Sequence, residues 1–392
     1  MKCVVVSYGS RGDTEPCAVV ARELLRRGHD VQMAVPPNLL GLAQAQGLAA
    51  VAYGPDSHKQ FDAFPQFMAQ MQNPYEALPD IVQRVTQIWA DKRAVLASLT
   101  DGADVLVTGM TEQRLAASVA EYQAIPLVAL HFFPARLQPA GLLQDQLIKM
   151  AEDPQRRALG LPESAEPPPP QLEIQAYDGR CLPAPASQWV EASADRPFVG
   201  ALTLEVPADT DDEVLAWIAE GTPPIYFGLG STPVSSPDKT VGMVIGACAL
   251  LGVRLLVCAG PNDFSHIVQS DNVKIVSAVN QSAIFPACRA TVHHGGAGTT
   301  AAAMRAGVPM LILWLWLDQP VWAAAVQQLG VGAARCFSET TEQTLIADLQ
   351  SILAPHYLAR AREIAPDTIP ARESETLAAD FVEYATQPER IS

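Results

Sequence analysis

The order of apolar residues along the chain restricts the fold most, because short β-branched runs alternate with helical stretches in two successive series. In the first half, the runs KCVVVSY, DVQMAV, LAAVAY, DVLVTG and IPLVAL each predict a strand. In the second half, PPIYFGLGS, VRLLVCAG, VKIVSAV, ATVHH and PMLIL do the same. Strand, helix and strand at this spacing predict parallel sheets with right-handed crossovers. The expected fold class is α/β, built as two βα halves.

The helical stretches between these runs carry start and stop signals. TEPCAVVARELLRRGH predicts the first helix, with Pro16 in its first turn and Gly28 ending it. After Phe337 the pattern predicts only helices. We therefore expect a helical C-terminal tail.

The length of 392 residues favours two domains of about 150–200 residues. The proline-rich GLPESAEPPPPQ and the acidic ADTDDE separate the two series of strands. We predict an N-terminal domain over residues 1–202, a hinge over 203–212 and a C-terminal domain over 213–392. Asp211 or Asp212 is expected near the cap of a helix that follows the hinge.

Charge and cysteine usage exclude some classes of protein. The net charge of −16 argues against nucleic acid as a partner, although backbone N–H groups can still bind one phosphate locally. The seven cysteines follow no metal-binding spacing, which is typical of a reducing compartment. MKCVVVSYGS is not a secretory signal, and the run VPMLILWLWL is about half of a membrane span. We expect a cytoplasmic protein, and a peripheral membrane contact stays open.

The stretch TVHHGGAGTT is the strongest candidate for a ligand site. A strand is expected to end at His293 or His294, and a helix to begin around Ala297 to Thr299. Glycines between them permit a close approach of ligand to backbone, and the positive helix end attracts anions. The sequence therefore predicts a phosphate site here. The alternative is a glycine-rich turn with core histidines.

Three further motifs lie where a strand passes into a helix, the position at which parallel sheets bind ligands. In SYGSRGDTEP, Asp13 either caps the helix or acts as a base. In PPIYFGLGS, Gly230 and Ser231 form either a plain turn or a ligand contact. In DQPVWAA, Asp318 and Gln319 can hydrogen-bond several hydroxyls, with helix capping by Asp318 as the alternative.

These four motifs, in this order and at about this spacing, resemble those of the GT-B glycosyltransferases of family 1. The similarity covers most of the chain and is greatest to the bacterial antibiotic (vancomycin-group) and mycobacterial glycopeptidolipid enzymes. It implies two Rossmann-like domains facing a central cleft, the N-terminal one for the acceptor and the C-terminal one for a nucleotide-sugar. It leaves open whether the last helix packs back on the N-terminal domain.

The resemblance also implies a reaction, which is inverting glycosyl transfer without a metal. No cofactor is expected, because the nucleotide-sugar is a co-substrate. The run DTDDE is formally a D-x-D motif, but it lies in the predicted hinge, where we interpret it as a solvated helix cap.

Roles for individual residues follow from the same resemblance. Asp13 corresponds to the general base, and Asp318 and Gln319 correspond to the pair that binds the donor sugar. Val279, in VSAVNQSAIFPAC, is the candidate for the nucleobase. His131 and Phe132 follow a strand and are candidates for the acceptor, with a core role as the alternative. The candidates for the donor diphosphate are His293, Gly295, Gly296, Ala297, Gly298, Thr299, Ser231, Gly230, Ser10 and Arg11.

The expected function is transfer of a sugar, for example a deoxyhexose such as rhamnose, from a UDP- or dTDP-sugar. The expected acceptor is a hydroxyl of a lipopeptide, a glycopeptidolipid or another hydrophobic natural product. Two alternatives are a nucleotide-sugar epimerase of the same fold and a non-catalytic nucleotide-sugar-binding protein. An NAD oxidoreductase is disfavoured because G-x-G-x-x-G is missing. The stretch between HFFPARLQPAG and EDPQRRALGLP is shorter than the resemblance leads us to expect, so an acceptor loop between 138 and 152 stays open.

Overall fold

The computed structural model of the chain contains two units, each built on its own parallel sheet. Unit 1 comprises Met1–Ala176, Ala192–Leu202 and Ala371–Ser392, and unit 2 comprises Tyr177–Glu191 and Thr203–Pro370. The structure describes residues 1–62, 74–134, 142–163, 168–182, 195–232, 234, 236–264 and 266–387. The first part of the shortened acceptor stretch, residues 135–141, lies outside the described residues. Among the described residues, no helix is both long and apolar enough to cross a lipid bilayer.

Unit 1 has a sheet of six parallel strands in the order β3-β2-β1-β4-β5-β6. Its strands are β1 (Lys2–Val6), β2 (Asp30–Val35), β3 (Ala49–Ala52), β4 (Val105–Thr108), β5 (Leu127–His131) and β6 (Leu172–Gln175). The central strands β1 and β4 are almost completely buried, as expected for a sheet with helices on both faces. The strand order reverses between β1 and β4, because successive strands are added on one side of β1 and then on the other. The carboxyl ends of these two strands therefore form the crevice of this sheet.

The helices of unit 1 connect these strands and add one element from the far end of the chain. They are α1 (Arg11–Arg26), α2 (Leu40–Ala45), α3 (Ser57–Asp62), α4 (Pro74–Leu99), α5 (Gln113–Gln123), α6 (Leu142–Ala158) and α14 (Ala371–Ala385). Arg22 contacts Glu375 at 2.7 Å, and Arg27 contacts Asp380 at 2.7 Å, so ion pairs join α14 to α1.

The first helix starts earlier than predicted. It begins at Arg11, with Ser10 as its N-cap, so Pro16 lies inside the helix rather than in its first turn. Hydrogen bonds from Ser10 to the Asp13 carboxylate stabilise the early start. The end agrees with the prediction, because Gly28 has a φ of +87° just after Arg26.

Unit 2 repeats the topology, with strand order β12-β11-β10-β7-β8-β9. Its strands are β7 (Ile225–Gly228), β8 (Leu255–Cys258), β9 (Val273–Val276), β10 (Ala290–His293), β11 (Met310–Trp314) and β12 (Gly332–Cys336). Its helices are α7 (Asp211–Ala219), α8 (Pro237–Leu250), α9 (Gln281–Ile284), α10 (Ala297–Ala306), α11 (Gln319–Leu329), α12 (Glu342–Ile352) and α13 (Pro355–Ile364). The strand order of this sheet reverses between β7 and β10.

The predicted hinge, residues 203–212, lies within unit 2, and its last two residues begin α7. Strands β6 and β12 were not predicted, and each is an edge strand of its sheet. All other strands correspond to predicted runs, and within the described residues only helices follow Phe337.

Candidate functional site

Two glycine-containing loops meet at the point where the sheet of unit 2 reverses its direction. Strand β7 ends at Gly228 and β10 ends at His293, and these two residues are paired neighbours in the sheet. Gly230 follows β7 with a φ of +61°, and Gly295 follows β10 with a φ of +88°. Both values lie in the left-handed region that favours glycine. The predicted phosphate loop therefore lies at the crevice position of a Rossmann sheet.

The ring of His294 lies between these two loops. A β-carbon on Gly230 would come within 2.6 Å of His294 Cε1, and one on Gly296 within 2.5 Å of His294 Nε2. Real Cβ contacts are not this short, so both positions need glycine to accommodate the ring. The loop after β8 also approaches closely, because a β-carbon on Gly260 would collide with the Gly230 carbonyl oxygen.

His293 is completely buried at the end of β10. The Gly295 N–H donates to its Nδ1 at 3.1 Å, so in the neutral ring the proton is on Nε2. Burial, with a smaller contribution from His294, lowers the pKa of His293 to about 3. Its Nε2 has no hydrogen-bond partner among the described residues. The site therefore holds a neutral, buried imidazole whose Nε2–H has no protein acceptor among the described residues.

His294 carries the second unpartnered nitrogen of this loop. Its Nδ1 is buried without a hydrogen-bond partner in the described part of the chain. Burial lowers the pKa of His294 to about 4. Two adjacent unpartnered imidazole nitrogens are uncommon, because most buried polar atoms are hydrogen-bonded.

Helix α10 begins immediately after the loop. Gly296 is its N-cap, and Ala297, Gly298 and Thr299 form its first turn, where backbone N–H groups have no intrahelical acceptor. Thr300 is buried, and its hydroxyl donates to the Gly296 carbonyl at 3.0 Å. The hydroxyl of Thr299 accepts from Gln281 Nε2 at 3.3 Å. The first turn thus offers backbone amides and the Thr299 hydroxyl.

Gln319 begins helix α11 and borders the same loop. A β-carbon on Gly295 would lie 3.4 Å from the Gln319 carbonyl oxygen. Gln319 Oε1 accepts from the backbone N–H of Leu315 at 2.7 Å and of Trp316 at 3.2 Å. These bonds fix the orientation of the amide, which leaves its NH2 group to donate elsewhere. The following residue of this turn, Leu317, has a φ of +56°, an unusual value for a residue with a side chain.

Asp318 occupies the N-cap position of α11, but its side chain makes no capping hydrogen bond, so the capping alternative is not supported. Its Oδ2 instead accepts from the indole Nε1 of Trp322 at 2.7 Å. Burial raises the pKa of Asp318, and the hydrogen bond from Trp322 opposes this effect. Trp322 is buried, and it also orients the carboxylate.

Val279 and Ser231 lie in loops at the same edge of the sheet. Val279 is half-buried between β9 and α9, just before the N-cap Asn280. Ser231 is exposed directly after Gly230. The structure therefore places the predicted diphosphate, sugar and base residues of unit 2 after the carboxyl ends of strands of the same sheet.

In unit 1, Ser10, Arg11 and Asp13 follow β1 at the crevice of that sheet. The Asp13 Oδ2 accepts from the backbone N–H of Ser10 at 2.6 Å and from its hydroxyl at 2.7 Å. Asp13 is thus the third residue of α1 and not the residue before the helix. Arg11 is half-exposed and pairs with Glu15 at 2.9 Å. A role of Ser10 and Arg11 at the diphosphate stays a prediction.

His131 and Phe132 lie at the carboxyl end of β5 and are largely buried. Gln113 Nε2 donates to His131 Nε2 at 3.1 Å, so the ring proton of the neutral histidine is on Nδ1. Phe132 makes an edge-to-face contact with Phe133. Their burial is compatible with both the acceptor role and the core role.

A buried charged cluster beside the Asp13 loop was not predicted. Lys92 contacts Glu112 at 2.8 Å, and the Tyr53 hydroxyl donates to the same carboxylate at 2.6 Å. The Lys92 ammonium also lies 3.3 Å from the centre of the Tyr8 ring. The cluster joins α4 to the loops after β1, β3 and β4. Its members are far apart in the sequence and form no motif, so no sequence signal indicated it.

The fold and this site define a class of protein. The chain superposes on the solved structure of the spinosyn rhamnosyltransferase SpnG complexed with thymidine diphosphate. The TM-score is 0.72 at 19% identity, and the match covers 99% of this chain and 100% of that one. The fold is therefore that of the GT-B glycosyltransferases.

Sequence comparisons identify the family. The chain is 50% identical to an uncharacterized glycosyltransferase of Mycobacterium bovis over the full length of both. It is 28% identical to the vancomycin aglycone glucosyltransferase of Amycolatopsis orientalis over 93% of each chain. Residues 258–383 match the family model of the erythromycin biosynthesis protein CIII-like C-terminal domain. The chain belongs to the family 1 GT-B glycosyltransferases, and it is an enzyme that transfers glycosyl groups.

Proposed function

We propose that this glycosyltransferase moves a sugar from a UDP- or dTDP-sugar to a hydroxyl of a hydrophobic acceptor, with inversion and without a metal. One observation carries the proposal. At the point where the sheet of unit 2 reverses, the N-terminus of α10, two glycine loops and the unpartnered Nε2 of His293 come together. This set of donors fits a diphosphate.

The donors address the main difficulty of the reaction, which is the departure of a nucleoside diphosphate with added negative charge. Backbone amides at a helix N-terminus and a fixed imidazole N–H stabilise that charge without reorganisation. The pKa of His293, lowered to about 3, means that the ring donates as a neutral group throughout the physiological pH range. Stabilisation that grows as the bond to the diphosphate breaks accelerates the reaction.

Asp318 and Gln319 are proposed to hold the donor sugar with separate roles. Gln319 has its oxygen occupied by two backbone N–H groups, so it contributes an NH2 donor. Asp318 has one oxygen occupied by Trp322, so its other oxygen is the acceptor. A donor beside an acceptor suits two neighbouring sugar hydroxyls.

The buried carboxylate of the acidic run DTDDE supports transfer without a metal. The predicted solvated cap is wrong for Asp211, which is buried, whereas Asp209 and Asp212 are exposed as predicted. The two oxygens of Asp211 accept from the backbone N–H groups of Ala208 and Asn280, each at 2.8 Å. Both oxygens already have partners, so this carboxylate is poorly suited to act as a metal ligand.

Asp13 is the proposed general base. Its carboxylate would take the proton of the acceptor hydroxyl as the oxygen bonds to the anomeric carbon and the bond to the diphosphate breaks. Attack from the face opposite the leaving group inverts the anomeric configuration. The two hydrogen bonds from Ser10 hold the carboxylate in one orientation, as an acid–base group requires.

The identities of the sugar and acceptor are proposed from the names of relatives. A solved structure of the same fold is named a rhamnosyltransferase and contains thymidine diphosphate. A relative is named for a glucosyl transfer to the vancomycin aglycone. We propose a deoxyhexose such as rhamnose, carried by dTDP, and a lipopeptide, glycopeptidolipid or similar acceptor. This step depends on analogy between related proteins.

Thermal-shift measurements with UDP, dTDP, GDP and their sugars test the donor. A ligand present at 100 times its Kd stabilises the folded protein by about 2.7 kcal/mol, which raises Tm measurably. We expect UDP or dTDP to raise Tm. Hydrogen exchange should then show protection of residues 294–300. Absence of a shift with every nucleotide, or protection elsewhere, would contradict the proposal.

Transfer assays with the nucleotide-sugar that binds test the catalytic role of the loop. His293→Ala should lower kcat by roughly 10²- to 10³-fold, the usual effect of removing one such donor. His356→Ala is the matched control, because His356 is an exposed histidine on α13 of the same unit. Equal turnover of the two variants would contradict the diphosphate assignment.

A further inference from the structure

The start of helix α7 holds the loop between β9 and α9 by contacts that the proposed reaction does not use. Asp211 is the first residue of α7 and is buried, whereas the adjacent Asp212 is exposed. The side chain of Asp211 accepts hydrogen bonds from backbone N–H groups, whereas the side chain of Asp212 is exposed on the surface of the helix.

The contacts lie on both sides of Val279. On one side, the Thr210 hydroxyl donates to the Ala278 carbonyl oxygen at 2.7 Å. On the other side, Asp211 Oδ1 accepts from the Asn280 backbone N–H at 2.8 Å. The second oxygen of Asp211 accepts from the Ala208 N–H, which fixes the carboxylate itself. The backbone of residues 278–280 is therefore held at both ends.

Val279 differs from its neighbours. Among the described residues, neither its backbone N–H nor its backbone carbonyl makes a hydrogen bond, and the residue is half-buried. It can thus offer one donor and one acceptor to a ligand. The imide edge of uracil or thymine presents a complementary N–H and carbonyl group. The two contacts from α7 leave this one residue unoccupied in a short, restrained loop.

The same loop is joined to the diphosphate site. Gln281, two residues after Val279, donates to the Thr299 hydroxyl in the first turn of α10 at 3.3 Å. The loop between β9 and α9 is therefore adjacent to the helix N-terminus that the proposed function assigns to the diphosphate. A nucleotide with its diphosphate on α10 has its base within reach of this loop.

We propose that Asp211 and Thr210 are positioning residues for nucleobase recognition, which rests on the proposed function. They hold the backbone of Ala278 and Asn280 so that the N–H and carbonyl of Val279 meet a pyrimidine edge. Hydrogen bonds from backbone N–H groups to a carboxylate are among the stronger ones in proteins. A binding group supported in this way keeps its geometry before the ligand arrives.

Binding measurements with three probes test the proposal on the full chain. The probes are UDP, dTDP and inorganic pyrophosphate, with Kd measured by calorimetry for each variant. Asp211→Asn keeps one acceptor but places an NH2 group against a backbone N–H. We expect it to raise the Kd of the nucleotides about tenfold or more, and that of pyrophosphate less than twofold, since one lost buried hydrogen bond changes binding by about this factor.

Two further variants complete the experiment. Thr210→Val removes the hydroxyl at constant shape, and we expect about a threefold to tenfold rise in the Kd of UDP and dTDP. Asp212→Asn is the matched control, because it makes the same chemical change on the adjacent exposed residue, and its Kd values should stay within twofold of the wild type. If Asp211→Asn does not fold, Thr210→Val alone decides the outcome.

The outcomes separate this inference from the proposed function. If the wild type binds a nucleotide and the Asp211 and Thr210 variants bind it equally well, the positioning role is wrong. The role is also wrong if the variants weaken pyrophosphate as much as the nucleotides, since that result indicates general distortion. If the wild type binds neither UDP nor dTDP, the proposed donor is wrong and the inference is overturned with it.

Discussion

Replacing His293 with alanine removes a completely buried ring whose pKa is lowered to about 3 by burial and, to a smaller extent, by His294. In the unfolded chain, the same histidine titrates near 6.5. Between these two values the unfolded state binds one more proton than the native state. The free energy of unfolding must therefore fall as the pH decreases through this interval.

The size of the effect follows from the two pKa values. Each proton taken up only on unfolding changes the free energy by up to about 1.4 kcal/mol per pH unit. For His293 this amounts to about 2 kcal/mol between pH 7 and pH 5. The pKa of His294, lowered to about 4, gives this residue a similar contribution in the same interval. The two histidines contribute fully to the free energy of unfolding above about pH 6.5, and this contribution is lost as the pH falls toward 3 to 4.

Guanidinium unfolding of the wild type and of His293→Ala at pH 7, 6 and 5, followed by tryptophan fluorescence, measures the effect. The variant should be less stable at pH 7, but the difference from the wild type should shrink by about 2 kcal/mol at pH 5. Titratable groups distant from His293 cancel in this difference, because distant sites contribute independently. Parallel pH dependences would refute the reasoning, because they would mean that His293 takes up its proton equally in the folded state.

Two other substitutions test the remaining polar contacts of the site. In Asp13→Asn, the amide oxygen can still accept both hydrogen bonds from Ser10, so α1 should keep its start. Transfer should fall by roughly 10²- to 10⁴-fold, while the Kd of the donor stays unchanged. Full activity in a transfer assay would mean that Asp13 is only a helix cap. Trp322→Phe removes the donor that favours the charged form of Asp318, so the pKa of Asp318 should rise further. The acidic limb of kcat/KM for the nucleotide-sugar should then move to higher pH, and an unshifted pH profile would argue against this contact.

Most strands could be predicted because central strands of parallel sheets are buried on both faces and form continuous apolar runs. The two missed strands, β6 (LEIQ) and β12 (GAARC), are edge strands, and they carry polar or small residues. The edge strands β3 and β9 were predicted, so edge position alone is not the reason; the polar and small residues of LEIQ and GAARC interrupt the apolar run on which the prediction depends. The early start of α1 was missed for another reason, since it depends on side-chain hydrogen bonds between Ser10 and Asp13.

The positions of the site residues could be predicted, but the distribution of hydrogen bonds among them could not. Sequence motifs place histidines, glycines and the Asp-Gln pair at strand ends. Which nitrogen of His293 stays available depends on the Gly295 N–H, and which end of Gln319 stays available depends on two backbone groups. The role of Asp211 depends on Asn280, which lies 69 residues further along the chain. Such pairs become visible only when the chain is folded.

The two glycine motifs of unit 2 depend on each other through one side chain. The ring of His294 occupies the space that a side chain at Gly230 or at Gly296 would need. Gly230 belongs to the motif FGLGS, and Gly296 belongs to HHGGAG. Because one histidine of HHGGAG fills the space beside Gly230, that histidine restricts which residue FGLGS can carry at this position. His293 is buried, and its Nδ1 accepts a hydrogen bond from the Gly295 N–H. The ring of His294 lies between the loops after β7 and β10. The pair of adjacent histidines therefore sets both the shape of the loop and the spacing of the crevice, and the glycines are the residues that permit it.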